Sequence, residues 1–173
     1  MKKLFLLLVI TLLFIVFSVL ITGLYKKIKY HIDAEQQISV LPLFSLPKIN
    51  GTSFSTSEID VGPVLIVRFH PECEHCRYEL KEILNSRLIE KQNKVLLISN
   101  STKENVSAFL SQFDINGREN IVPLLDTAFI ISDIFRKDII PSNYIYDKNL
   151  KLVKALYGEY KTETILKYLE SGE

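Results

Sequence analysis

An unbroken aliphatic run, Val64-Leu65-Ile66-Val67, is followed six residues later by Cys73-Glu74-His75-Cys76, and an apolar pattern of helical spacing starts directly behind the second cysteine. A run without polar alternation is what a central strand buried on both faces requires. Leu80, Ile83, Leu84 and Leu88 then recur at helical intervals, so Cys73 is expected to open a helix. A buried strand passing straight into an amphipathic helix calls for a sheet covered by helices. The two cysteines are the only ones in 173 residues, so a four-sulfur structural zinc site is ruled out. Their spacing lets one sulfur attack a foreign disulfide and the other release the product.

The flanking patterns extend this α/β reading. Leu41-Pro42-Leu43-Phe44-Ser45-Leu46, then Asn50-Gly51, then Ser53-Phe54 reads as two short strands joined by a turn that tolerates positive φ. Val95-Leu96-Leu97-Ile98 is a second buried strand, and Ser101-x-x-Glu104 is a capping box before the stripe Val106, Phe109, Leu110 and Phe113. Asn116-Gly117 turns the chain into the strand Ile121–Leu125. Asp126 or Thr127 caps a helix carrying Ile130, Ile131, Ile134 and Phe135 inward. Pro141 precedes a hairpin, Asn143–Tyr146 and Leu150–Val153, and a last helix begins near Thr162. Together these give a mixed sheet, parallel in its first part and antiparallel at its terminal hairpin. The formal net charge of +1 and the lack of a basic stripe leave nucleic acid without a footprint.

The first two dozen residues carry a different signal. Leu4 to Leu24 hold no charge, and Lys2 and Lys3 stand before them with Lys26, Lys27 and Lys29 behind. A helix of that length spans a hydrocarbon core of about 30 Å. The run exceeds the 7–15 apolar residues or so of a cleaved signal peptide and ends in no small-x-small site. The expected organisation is therefore a transmembrane signal anchor over residues 1–24, a juxtamembrane linker or helix continuation over 25–40, and a redox domain over 41–173. Lysine counts do not fix the orientation. The paired cysteines favour a single-pass cell-membrane protein with its domain outside the cytoplasm, in the periplasm, where disulfide exchange is useful.

The segment Phe69-His70-Pro71-Glu72-Cys73-Glu74-His75-Cys76-Arg77-Tyr78-Glu79-Leu80 resembles the active-site segment of membrane-anchored thioredoxin-like proteins of the TlpA/ResA type. Leu124-Leu125-Asp126 and Ile140-Pro141-Ser142-Asn143-Tyr144-Ile145-Tyr146-Asp147 match in order, and the similarity covers about residues 41–170. It implies a thioredoxin-like fold with an N-terminal β-hairpin extension and a thiol–disulfide oxidoreductase. Cys73 is then the attacking sulfur and Cys76 the resolving one, with protein thiols or disulfides as substrates. A membrane-embedded electron donor or acceptor is the implied partner, and no cofactor is implied beyond the Cys73–Cys76 disulfide itself. Glu79 occupies a position where related proteins carry an acid, and the resemblance implies that it handles the resolving thiol's proton. A solvent-facing helix glutamate is the alternative. Pro141 resembles the family's cis-proline, which leaves the backbone of Ile140 to pair with a substrate strand.

Three positions depart from the pattern. Glu72 stands where an aromatic residue often precedes the first cysteine, Val67 replaces thioredoxin's buried strand acid, and His75 replaces a common proline. The helix end and a protonated His75 favour a thiolate on Cys73, whereas Glu72 and Glu74 oppose it. His75 therefore argues for oxidation and the family's habit for reduction. Two further readings use the same residues. Cys73, Cys76, His70 and His75 could bind a soft metal, as copper carriers of a related fold do with a different cysteine spacing. An inert disulfide on a scaffold is the third. A peroxidase is disfavoured because His70 stands where peroxiredoxins carry Thr or Ser. Arg68, charged within a buried run, has no assignment from the sequence.

Overall fold

The computed structural model describes residues 2–60, 62–86, 89 and 93–172, without the side chains of residues 2–9, 12, 30, 31, 33 and 34. Leu88, expected above on the helix behind Cys73, lies outside the described residues. The chain divides into two compact units, Met1–Gln36 and Gln37–Glu173.

The first unit is a single helix, α1 (Lys2–Gln37). Residues 25–37 continue this helix, the second of the two readings given for 25–40. Its described apolar side chains, among them Leu13, Phe14, Phe17, Leu20 and Leu24, are exposed on all sides. Among the described residues no helix is long and apolar enough to cross a membrane. The expected anchor draws on Leu4 to Val9, whose side chains lie outside the description.

In the second unit β1 (Ser45–Pro47) and β2 (Ser53–Ser55) form the expected N-terminal hairpin, antiparallel with Leu46 opposite Phe54. Gly51 takes the positive φ of the turn. β3 (Val64–Arg68), α2 (Glu74–Leu84), β4 (Lys94–Ser99), α3 (Lys103–Leu110) and β5 (Ile121–Leu125) follow, then α4 (Ile130–Phe135), β6 (Ser142–Tyr146), β7 (Leu152–Tyr157) and α5 (Thr162–Glu170). The main sheet runs β5-β4-β3-β6-β7, with β3 parallel to β4 and β4 to β5, and β6 and β7 antiparallel. Side chains alternate along β3: Leu65 and Val67 join the cluster under α2, α3 and α5, whereas Val64 and Ile66 face the hairpin and α4. Both faces are covered, which explains why β3 and β4 read as continuous apolar runs. Pro123 sits in β5, an outer strand, where a missing N–H is tolerated.

Four local expectations are corrected. The capping box is not formed: Thr102, not Ser101, caps α3 by accepting from the Asn105 amide at 3.3 Å. Both side chains offer a hydroxyl, and the pattern alone could not separate them. Leu150 lies in the turn with φ of +60°, so β7 starts later, at Leu152. In α4 only Ile131 and Phe135 are buried, while Ile130 is exposed. The N-cap of that helix is Phe129, neither Asp126 nor Thr127, although the Asp126 carboxylate accepts from the amides of Ile130 at 2.7 Å and Ile131 at 3.0 Å.

The approach to β3 depends on one glycine. A Cβ at Gly62 would lie 2.3 Å from the backbone oxygen of Asp147, a clash with an atom that cannot swing aside. Gly62→Ala is expected to lower stability by about 2 kcal/mol through forced backbone displacement, measured by urea unfolding. A change below about 0.5 kcal/mol, the size of ordinary surface substitutions, would show that this loop yields freely.

Candidate active site

The end of β3 delivers the cysteines. Phe69 continues the sheet by donating to the Ile98 carbonyl at 3.0 Å, and the Cys73 amide then donates to His70 O at 3.0 Å, closing the turn before α2. Cys73 is the N-cap of α2, as expected, and its Sγ accepts from the Cys76 amide at 3.3 Å. The sulfur thus faces the unpaired amides of a helix N-terminus, where negative charge is stabilised. Cys73 is partly exposed and Cys76 is fully buried, and both thiols are free. Burial first, then the hydrogen bond with Cys73, pushes the Cys76 thiol far above its ordinary value, with Glu79 adding to the effect. One sulfur is therefore partly exposed, and the other lies buried behind it with its thiol form favoured.

Glu79 is the buried acid of this site. It is 1% exposed, so the solvent-facing alternative does not hold. Its Oε1 accepts from Asn143 Nδ2 at 2.7 Å and its Oε2 from the Tyr160 amide at 2.9 Å. Burial raises its pKa above the usual carboxylate range, with the two hydrogen bonds opposing and the Glu159 charge reinforcing the shift. Asn143 stands opposite Val67 in the β3–β6 register. The acid missing from the strand at Val67 is thus supplied by the helix, with an amide on the next strand as its partner.

The Ile140–Pro141 peptide is cis, as the resemblance implied. Arg68 pairs with Ser142, so Phe69, which leads to the cysteines, and Pro141 leave the sheet at the same edge. Cys73 and Ile140 pack against the same apolar cluster. His75 is on the surface, its side chain 73% exposed, and its Nδ1 lies 2.5 Å from Glu159 Oε2. That carboxylate, which sequence reasoning missed, offsets the cation assigned to His75. Asn143 was missed as well, although a lone amide within the run Asn143–Tyr146 was a visible signal. Glu159 sits in a loop with no periodicity to mark it.

Arg68 and His70 also find places. Arg68 is 3% exposed; its guanidinium donates to the Lys137 carbonyl, to Ser132 Oγ at 2.8 Å and to Asp138 Oδ1 at 3.4 Å. It tethers the segment between α4 and Pro141, which is why a charge is tolerated in β3. His70 Nδ1 accepts from the Glu72 amide at 3.3 Å. Among the described residues no group of three or more His, Cys, Asp or Glu side chains is placed to hold a metal ion.

The backbone has solved counterparts. A putative thiol:disulfide interchange protein DsbE from Chlorobium tepidum superposes with a TM-score of 0.67 at 16% identity, over 78% of this chain and 95% of that one. The fold is thioredoxin-like. A secreted Mycobacterium tuberculosis disulfide oxidoreductase homologous to E. coli DsbE matches the thioredoxin-like domain with a TM-score of 0.66 at 12% identity, over 79% and 98% of the two chains. Peroxidoxin BcpB from the same organism matches at 0.62 and 17% identity, over 78% and 96%. No family model and no curated protein matches the sequence. At these identities the likeness carries the thioredoxin-like fold, and the chemistry rests on the side chains of the site.

Proposed function

We propose that the chain is a thiol–disulfide oxidoreductase that exchanges disulfides with protein substrates through Cys73 and Cys76. The observation that carries this reading is the asymmetry of the pair: a partly exposed sulfur at a helix N-terminus and a buried one a turn behind it, whose pKa burial pushes up. The Cys73 thiolate attacks one sulfur of a substrate disulfide; that S–S bond breaks and the first substrate sulfur leaves as a thiolate, which takes a proton from water. Cys76 passes its proton to Glu79 and attacks Cys73 Sγ, releasing the second thiol. The substrate gains two electrons and two protons, and Cys73–Cys76 becomes a disulfide. The reverse sequence oxidises a dithiol. Ile140, before the cis-proline, offers backbone for an extended substrate strand.

We read α1 as the tether of this domain to a lipid bilayer. The uncharged run Leu4 to Leu24, and apolar side chains exposed around the whole helix, support that reading. The domain then works at an extracytoplasmic membrane surface, with a membrane-embedded partner resetting the pair. Equilibration of the reduced full chain in detergent with glutathione buffers, followed by thiol trapping and mass analysis, tests the chemistry. A single reversible loss of two hydrogens, localised to Cys73 and Cys76, is the expected result. A pair that stays reduced, or stays oxidised, across the whole glutathione range sinks the exchange reading. Stoichiometric copper retained by the reduced chain would favour the carrier reading instead.

A further inference from the structure

The segment after β7 touches three parts of the site in three consecutive residues. The Gly158 amide donates to the carbonyl of Pro141 at 2.9 Å. Glu159 Oε2 meets His75 Nδ1 at 2.5 Å. The Tyr160 amide donates to Glu79 Oε2 at 2.9 Å. One short strap thus joins the cis-proline, the residue between the cysteines and the buried acid. The middle contact is the only one of the three made by a side chain of the strap, and it lies on the surface, where a single substitution removes it without opening the core. Beyond the strap lies a groove of about 340 Å³, lined by Tyr78, Glu82, Glu159, Tyr160, Lys161 and Glu163.

We infer that Glu159 is a positioning residue for the exchange reaction: by holding His75 it seats the strap so that the Tyr160 amide stays on Glu79 and keeps that carboxyl competent to take the Cys76 proton. The inference rests on the oxidoreductase reading above. Several groups set the charge around Glu79. Cys76 comes from its own helix, Asn143 from β6, and Glu159 and the Tyr160 amide from the strap. Tyr78, Glu82, Lys161 and Glu163 line the groove beyond. The Tyr160 hydrogen bond favours the ionised form of Glu79, whereas burial and the Glu159 charge oppose it. Freeing the strap takes the favourable contact away, and because that hydrogen bond outweighs the opposing Glu159 charge, Glu79 accepts a proton too readily at neutral pH and is less available as a base.

Release of glutathione from the full chain carrying a mixed disulfide at Cys73 reads this directly, because Cys76 must attack and lose its proton. With Glu159→Gln, release at pH 7 is expected to slow about fivefold, with the pH profile displaced towards higher pH. His75→Gln is expected to reproduce the displacement, and Glu159→Asp to restore most of the rate. In a Glu79→Gln background Glu159→Gln should add nothing further. A Glu159→Gln variant with an unchanged profile overturns the inference, as does a slowing that persists undiminished alongside Glu79→Gln. If the native mixed disulfide releases no glutathione at any pH, the oxidoreductase reading itself fails. Release that proceeds but is indifferent to Glu159 removes the positioning role alone.

Discussion

Arg68→Ala is expected to lower the unfolding free energy by about 4 kcal/mol, the largest stability effect of any single substitution proposed for this chain. Two losses add. The side chain is buried beside β6 and α4, so its removal leaves a cavity, and large-to-small changes of this kind cost about 2–5 kcal/mol. The Lys137 carbonyl and Ser132 Oγ also lose their donor, together about 1–3 kcal/mol because both residues are only half-buried. The ion pair with Asp138 adds little, because that carboxylate is largely exposed. Arg68→Met separates the two losses: it refills most of the volume yet restores no donor, so about half of the cost should remain. Urea unfolding at pH 7 measures both variants. A loss under 1 kcal/mol for Arg68→Ala would mean that the segment 136–140 repacks without its tether. Because that segment carries Ile140 and leads into Pro141, the alanine variant should also lose substrate exchange below its unfolding transition.

Arg68 also marks where the sequence stopped being informative. The fold was legible because it is written in local patterns: the continuous runs of β3 and β4 announce burial on both faces, and the spacing of Leu80, Ile83 and Leu84 fixes the helix behind Cys73. Cys73, Cys76 and Pro141 could be placed because each is bound to an element boundary. Glu79 was half legible, since it stands three residues after Cys76 and four before Ile83, on the helix face that becomes core. The partners were not. Arg68 meets acceptors some seventy residues later, and His75 meets Glu159 across 84 residues. Such contacts depend on how loops return to the edge of the sheet, which no periodicity encodes. The choice between Ser101 and Thr102 as a cap fails for a smaller reason, two neighbouring hydroxyls with equal chemistry.

Glu79→Gln is expected to move stability and rate in opposite directions. Burial raises the Glu79 pKa above the usual range despite the hydrogen bonds from Asn143 and the Tyr160 amide. A carboxyl raised in the folded chain contributes stability that is fully present below its unfolded value, about pH 4.3. That contribution is lost as pH rises through the folded value. The native chain should therefore lose stability on going from acid to neutral pH, and Gln, which has no proton to lose, should flatten that slope. At pH 8 the variant should be about 1 kcal/mol more stable, since a buried charge is replaced by a buried amide. Gln can still accept from the Tyr160 amide through its oxygen, and its amide group can donate to Asn143, whose buried Oδ1 has no hydrogen-bond partner among the described residues of the native chain. The rate goes the other way. Without a base for the Cys76 proton, release of glutathione from Cys73 should slow about 100-fold at pH 7 and follow hydroxide concentration instead of a plateau. A variant that is more stable and as fast as the native chain would leave Glu79 as a strained core residue with no part in the reaction. A variant that is both slower and less stable would make it structural. Only slower release with higher stability fits a buried acid kept for its proton.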